Sequence, residues 1–428
     1  MDSREMRGRE KRGALALFLA AFALLAPPAA PRASAQLAAV EEGSAGNFFG
    51  AGGRSMAMGG TGIATAEDVS ALYYNPAGLA RAWRGELGVT FSHERVQNDV
   101  SYFGARSWDV LGKTRLSGLG GVFPVPVYRG ALVFGVGVQR LSSFDSIFRF
   151  QGHDAAAGAD KEGLEKEQGG LYAVSGGVAV ATSPKVSVGA SLTGWFGKDD
   201  YEWRFTQVDA GSTTTYHDDI RDSYGGVSAK FGLQSRPSDF LSLGMVVETP
   251  GWYWVQEEFL LRSATTDPLG EVTSDVDRGF IDYQVRFSYS FGGGLALSLP
   301  YVTLSGDATY TDWSQTHYEE PLDLKEQNEV FRQSFRETVR WHAGAEVQVP
   351  ATPLRLRAGY YKNPLPDRQK QVIDDRDYYT AGFGLDLDES ITVDAAAARG
   401  LWKTGENDLP LTEDKTADRA FVTFRVRF

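Results

Sequence analysis

Beyond residue 84, apolar and polar residues alternate one by one along most of the chain. This is the period of a strand with one greasy face and one wet face. Val339, Trp341, Ala343, Ala345, Val347 and Val349 share one face, opposite Arg340, His342, Gly344, Glu346 and Gln348. Ile281, Tyr283, Val285, Phe287, Tyr289 and Phe291 form a second such run, opposite Asp282, Gln284, Arg286, Ser288 and Ser290. About fourteen segments of this kind fall between residues 85 and 428, near the length of about 10 residues that a tilted strand needs to cross a bilayer. Short breaks at 124–129, 183–184, 236–238, 299–300, 350–352 and 388–389 alternate with long ones passing through Arg106, Asp160, Ser212, Asp267, Lys325, Arg368 and Asp408. That asymmetry is the one outer-membrane barrels have between periplasmic turns and external loops. The pattern therefore predicts an all-β chain, a transmembrane antiparallel β-barrel of about 14 strands over residues 84–428.

Proline placement agrees, because proline cannot donate to a ladder and collects at turns. Pro124, Pro126, Pro184, Pro237, Pro300, Pro350 and Pro353 sit at or beside the short breaks, and Pro250 is the exception. Either the ladder breaks at Pro250-Gly251 and leaves a gap in the wall, or residues 241–249 already cross the membrane and Trp252, Tyr253 and Trp254 form the outer aromatic girdle. We read it as the girdle. At the C-terminus, Val422, Phe424, Val426 and Phe428 share a face. A terminal Phe after such alternation resembles the closing strand recognised by outer-membrane assembly machinery.

The first 83 residues follow other rules. A basic start and an apolar run over 14–26, with Ala33-Ser34-Ala35 at a cleavage position, read as a signal peptide over residues 1–35. Residues 47–83 carry many glycines, yet Phe48, Phe49, Met56, Met58, Ile63, Leu72, Tyr73 and Tyr74 are too apolar for a solvated linker. Thr65 and Asp68 read as a capping box that starts a short helix over 66–73. Asn75 is placed to cap a second turn with Pro76 at its first position. Residues 36–83 are thus expected to form a compact plug inside the barrel.

The motifs Met58-Gly59-Gly60-Thr61-Gly62-Ile63-Ala64, Glu67-Asp68 and Tyr74-Asn75-Pro76-Ala77-Gly78-Leu79 resemble the N-terminal hatch of the FadL/TodX family of outer-membrane barrels, and are also similar to that of PorV-type secretion barrels. The first resemblance implies a channel for uptake of hydrophobic or amphipathic small molecules, of the long-chain fatty acid or aromatic hydrocarbon type. In that family ligand is captured at external loops, enters the lumen and leaves sideways beside the hatch; the corresponding parts here would be loops 143–169 and 207–217 and the third strand at 131–141. The second resemblance implies a plugged barrel that serves a secretion machine without transport. Phe48, Phe49, Gly59, Gly60, Asn75, Pro76 and Ala77 are the hatch residues.

Composition narrows the partners. With no cysteine the chain has no disulfide, thiol catalyst or cysteine zinc site. Its net charge of −12, without a basic stripe, argues against nucleic acid. The five histidines, at 93, 153, 217, 317 and 342, lack metal-ligand spacing, and no nucleophile elbow or phosphate loop occurs. We expect no catalytic site, cofactor or metal. His217-Asp218-Asp219 gives only slight support to a barrel hydrolase, and Asp374, Asp375, Asp377, Glu319 and Glu320 read as solvated loop charges.

Lumen-facing charges of both signs are predicted at Lys230, Asp282, Arg286, Asp307, Arg340, Glu346, Arg355, Arg357, Asp386, Asp394, Arg425 and Arg427. Of these, Arg286, Arg340, Glu346, Arg355, Arg357 and Arg425, with His342, are the candidate polar network that holds the plug. The partners expected are membrane lipid and lipopolysaccharide, the assembly machinery and a hydrophobic ligand, for a monomer in the bacterial outer membrane.

Overall fold

The computed structural model describes residues 50–325, 328–368, 371–406 and 409–428. The predicted signal peptide, Phe48 and Phe49 lie outside the described residues. Eighteen antiparallel strands form one sheet, closed where β1 (Glu86–Tyr102) pairs with β18 (Leu411–Arg427). Between them run β2 (Ala105–Val125), β3 (Leu132–Ser143), β4 (Ser146–Asp154), β5 (Ala159–Ser183), β6 (Val186–Asp209), β7 (Ser212–Ser238), β8 (Leu241–Glu248) and β9 (Trp252–Thr266). The circuit continues with β10 (Val272–Arg286), β11 (Ser290–Ser298), β12 (Val302–Asp312), β13 (His317–Glu320), β14 (Glu337–Gln348), β15 (Leu354–Asn363), β16 (Gln371–Asp386) and β17 (Ile391–Gly405). Four pairs, β3 with β4, β8 with β9, β10 with β11 and β12 with β13, are interrupted halves of single barrel staves. The wall therefore has fourteen staves, as the alternation requires.

Five of the six short turns overlap the predicted breaks, and the remaining one, at 239–240, follows directly on the break predicted at 236–238. The opposite end differs from expectation. Much of what reads as long loop is strand: β5, β6 and β7 run 25, 24 and 27 residues and project beyond the bilayer-spanning length. Tight hairpins close two connections on this side, β1 to β2 at Phe103-Gly104 (φ 47° and 84°) and β6 to β7 at Ala210-Gly211 (φ 39° and 91°). Positive φ at both central residues matches the strand twist of a two-residue hairpin. The predicted loops at 143–169 and 207–217 are consequently parts of hairpins: the charges of 159–169 and the Ser/Thr run 212–215 mask the alternation, although one face of these strands buries a cluster of Phe150, Trp203 and Phe205.

A second correction concerns the run from Ile281 to Phe291. Tyr283 and Val285 are 8% and 4% exposed and point inward, whereas Tyr289 and Phe291 are 46% and 49% exposed and point to lipid. The faces exchange across residues 287–289, where the stave is interrupted, and the facing residues 249–251 turn over with them, so that Glu248↔Ser290 and Trp252↔Arg286 keep one register. Arg286 accordingly stacks over the outward-facing Trp252 ring at 4.9 Å and reaches Glu319 at 3.6 Å. It is not a lumen residue, and Asp282, on the same outer face, is exposed. The C-terminal register is as predicted, with Val422, Phe424, Val426 and Phe428 exposed and Thr423 and Arg425 buried.

Candidate ligand cavity above the N-terminal segment

Residues 50–83 pack against the inner face of the barrel. A first helix, α1, covers Gly53–Ala57. Gly59 and Gly60 then turn at φ 68° and 73°, and α2 covers Ala71–Tyr74. The helix expected over 66–73 is only this last turn. Asp68 takes its N-terminal role instead of Thr65, accepting from the Ser70 amide at 2.9 Å and the Ser70 hydroxyl at 2.5 Å. Asn75 sits where the sequence places it, its side chain accepting from Ala77 N at 3.1 Å to cap the 3-10 turn Pro76–Arg81. The same amide group donates to Ile63 O at 2.8 Å and to Leu233 O of β7 at 3.1 Å. One buried side chain thus fixes two bends and ties them to the wall.

The wall holds this segment on several sides. Thr423 accepts from Gly53 N at 2.8 Å and Thr380 from Gly59 N at 2.9 Å. One carboxylate oxygen of Asp307 receives Gly62 N and Ile63 N at 2.6 and 2.9 Å. His342 Nδ1 meets Gly59 O at 2.8 Å, and its ring stacks on Tyr361 at 5.4 Å. Backbone approaches backbone closely: a side chain at Gly344 or Gly244 would stand 2.2 Å from the Met58 or Ile63 carbonyl oxygen.

An ion-pair network lies below. Glu346 bonds Arg357 at 2.6 Å and Arg54 at 3.3 Å. Arg357 and Arg425 clasp Asp394, each at 2.6 Å, and Arg425 reaches Asp68 at 3.1 Å. Arg355 pairs with Asp386. The structure therefore brings together Glu346, Arg357 and Arg425, sets Arg355 beside them, places Arg340 and His342 in the cavity lining, and removes Arg286. Sequence reasoning missed Arg54 and Asp68 as partners of this network, although their charge in an otherwise apolar stretch was a visible signal. Burial works against the Arg54 charge, but the carboxylates of Glu346 and Glu67 outweigh it and hold its pKa above the ordinary value.

Above the segment lies a cavity of about 160 Å³. Its floor is Gly60, Ile63, Tyr73 and Tyr74; Phe144, Trp195, Tyr253, Tyr283, Phe287 and Trp313 supply an aromatic side. Lys230, Glu248, Thr311 and Arg340 supply polar groups. Lys230 is held by Glu248 at 3.2 Å and lies 4.8 Å from the Tyr73 ring centre. Among the described residues no group of three or more His, Asp or Glu side chains could hold a metal ion.

The ladder is interrupted on two sides of the lumen. Pairing of β2 with β3 stops at Gly118↔Gln139; beyond it the third stave turns inward with Phe144 buried, and β4 pairs with β5. The second interruption is at Thr249–Gly251, between the pairings Glu248↔Ser290 and Trp252↔Arg286. Trp252 and Trp254 face outward, 41% and 46% exposed, as a girdle, and the ladder also breaks.

A closed antiparallel barrel of fourteen staves with alternating lipid-facing and lumen-facing residues is an integral protein of the bacterial outer membrane. Its fold is that of the FadL-type channels. It superposes on the toluene transporter TbuX of Ralstonia pickettii with a TM-score of 0.60 at 15% identity, covering 89% of this chain and 98% of that one. The P. putida toluene transporter TodX gives 0.59 at 15%, covering 89% and 99%, and a Pseudomonas aeruginosa FadL homologue gives 0.59 at 14%, covering 90% and 99%. No family model matches the sequence, and no curated protein matches it.

Proposed function

We propose that this protein is an outer-membrane channel for uptake of hydrophobic small molecules, with single-ring aromatic compounds as the substrate class that fits best. The observation that carries the reading is the cavity of about 160 Å³ with one aromatic side, seated directly on the N-terminal segment. An engineered apolar cavity of about 150 Å³ takes up benzene, so one ring matches this space and a long acyl chain would have to extend beyond it. The neighbouring folds, two of them toluene transporters, support the same class. A secretion barrel would need no such cavity, and nothing here favours that alternative.

In this reading residues 36–83 act as the hatch. Fourteen staves enclose a lumen wider than side chains alone can fill, so an empty barrel would leak polar solutes. The bonds from Asp307, His342, Thr380 and Thr423 hold the hatch in place. A hydrophobic ligand gains little from an aqueous axial path and leaves through the wall into lipid. The protein works as a monomer among lipid and lipopolysaccharide, inserted by the assembly machinery that reads Phe428. Binding is tested by titrating purified protein in mild detergent with toluene and following Trp195 and Trp313 fluorescence. Saturable quenching by toluene, competed by ethylbenzene and weakly by palmitate, is expected. Palmitate binding that excludes toluene would overturn the size argument.

A further inference from the structure

The layering of the cavity narrows the class of ring it takes, an inference that rests on the uptake reading. Neighbouring staves place polar residues at one height: Lys230 stands opposite Glu248, Glu248 opposite Ser290 and Ser290 opposite Thr311, and all of them line the cavity. Their chain neighbours Phe231, Val247, Phe291 and Tyr310 are exposed to lipid, as the alternation requires. Directly above this row runs an aromatic band. Trp195 lies 6.0 Å from Tyr253 between ring centres, Tyr253 5.0 Å from Phe287, and Phe287 6.3 Å from Trp313. Polarity in the cavity is thus sorted by height.

The two layers differ in what they can offer a solute. In the band, Trp195 Nε1 donates to the Ser228 hydroxyl at 2.8 Å and Trp313 Nε1 to the Thr338 hydroxyl at 2.9 Å, so both indole N–H groups are committed. In the row, Lys230 is committed to the Glu248 carboxylate at 3.2 Å and to the Tyr73 carbonyl. Ser290 and Thr311 are placed otherwise. Their hydroxyls bond each other at 2.7 Å, which uses one hydrogen and leaves the pair a second hydrogen and lone pairs to offer. A hydrocarbon seated on this pair would take it out of water and return no hydrogen bond, which costs affinity. A ring that carries a hydroxyl makes the bond and keeps its apolar part in the band.

The charges of the lining decide between a hydroxyl and a carboxylate on that ring. Among the described residues the lining carries Lys230 and Arg340 as cations and Glu248 and Asp307 as carboxylates. Opposite charges are equal in number, so the cavity has no net charge to hold an anion, and a buried anion without a counter-charge is costly.

We propose that the solute this cavity selects is a neutral phenol, with its ring in the band from Trp195 to Trp313 and its hydroxyl on the Ser290–Thr311 pair, and that these two hydroxyls set the preference over plain hydrocarbons. p-Cresol and p-xylene test this, since they differ only by a hydroxyl in place of a methyl group. Entering an apolar space from water favours p-xylene, because the hydroxyl of p-cresol must be dehydrated. A preference for p-cresol therefore reports a hydrogen bond made in the site.

Each compound is titrated calorimetrically into the full-length protein in mild detergent, with matched titrations into detergent alone. p-Cresol is expected to bind about fivefold tighter than p-xylene, the factor that one net hydrogen bond of ordinary strength supplies. S290A/T311V, which removes both hydroxyls at nearly constant volume, should weaken p-cresol about tenfold and strengthen p-xylene. Thr311→Ser keeps a hydroxyl at that position and should keep the preference. Tighter binding of p-xylene by the unaltered protein overturns the proposal and leaves the uptake reading standing. Equal weakening of both compounds in S290A/T311V also overturns it, as does benzoate binding tighter than p-cresol. If neither p-xylene nor p-cresol binds, the uptake reading fails and this inference with it. The comparison in the unaltered protein decides the matter even where the double variant does not assemble.

Discussion

Asn75 ties two bends of the N-terminal segment to the wall through three hydrogen bonds. It accepts from Ala77 and donates to Ile63 and to Leu233, all from a buried position. Its replacement by alanine strands those partners, and each buried unsatisfied group costs about 1–3 kcal/mol. Asn75→Ala should therefore loosen the hatch without unfolding the barrel. We expect a small, flickering ion leak in planar bilayers and slower uptake of hydrophobic probes, with heat-modifiable mobility on gels unchanged. Arg54→Ala acts on the other side: it removes one of two cations on Glu346 but leaves Arg357, so its leak should be weaker than that of Asn75→Ala, as single-channel recording can measure.

At the scale of elements, the wall was legible wherever one face is dry and one is wet. Val339 to Val349 and the closing strand read correctly because lipid and lumen each demand their own residue type. The run Ile281 to Phe291 misled because both sides of its interruption are apolar at odd positions: aromatic residues suit the cavity as well as the lipid, so the period survives while the face changes. The projecting parts of β5 and β7 were illegible as strands because charged and hydroxyl residues stand where an apolar face would show, while the aromatic cluster of Phe150, Trp203 and Phe205 that they help bury comes from several staves. The Asn75 cap was legible since its chemistry is local, whereas the pairing of Arg54 with Glu346 joins residues almost 300 positions apart. Two tests belong here. Deleting residues 36–80 should leave an assembled barrel that conducts ions steadily; equal, low conductance by the full-length and truncated proteins would mean that this stretch does not block the lumen. Deleting Phe428, whose amide bonds Gly85 O at 2.9 Å while its ring faces lipid, should leave chain in the periplasm, and normal outer-membrane levels would contradict that.

For the whole molecule the account joins three parts: a barrel too wide to stand empty, a hatch bonded around its inner wall, and an aromatic-sided cavity between hatch and solvent. In the proposed function they make a route for a hydrophobic solute that is closed to ions. The measurement that tests this most directly is accumulation of labelled toluene by cells that lack other hydrocarbon channels, with and without the full-length protein, alongside bilayer conductance of the same preparation. The account predicts saturable, protein-dependent accumulation of toluene from a protein that passes almost no ionic current. Steady ionic conductance with no protein-dependent accumulation would contradict it, and would make the barrel an open pore.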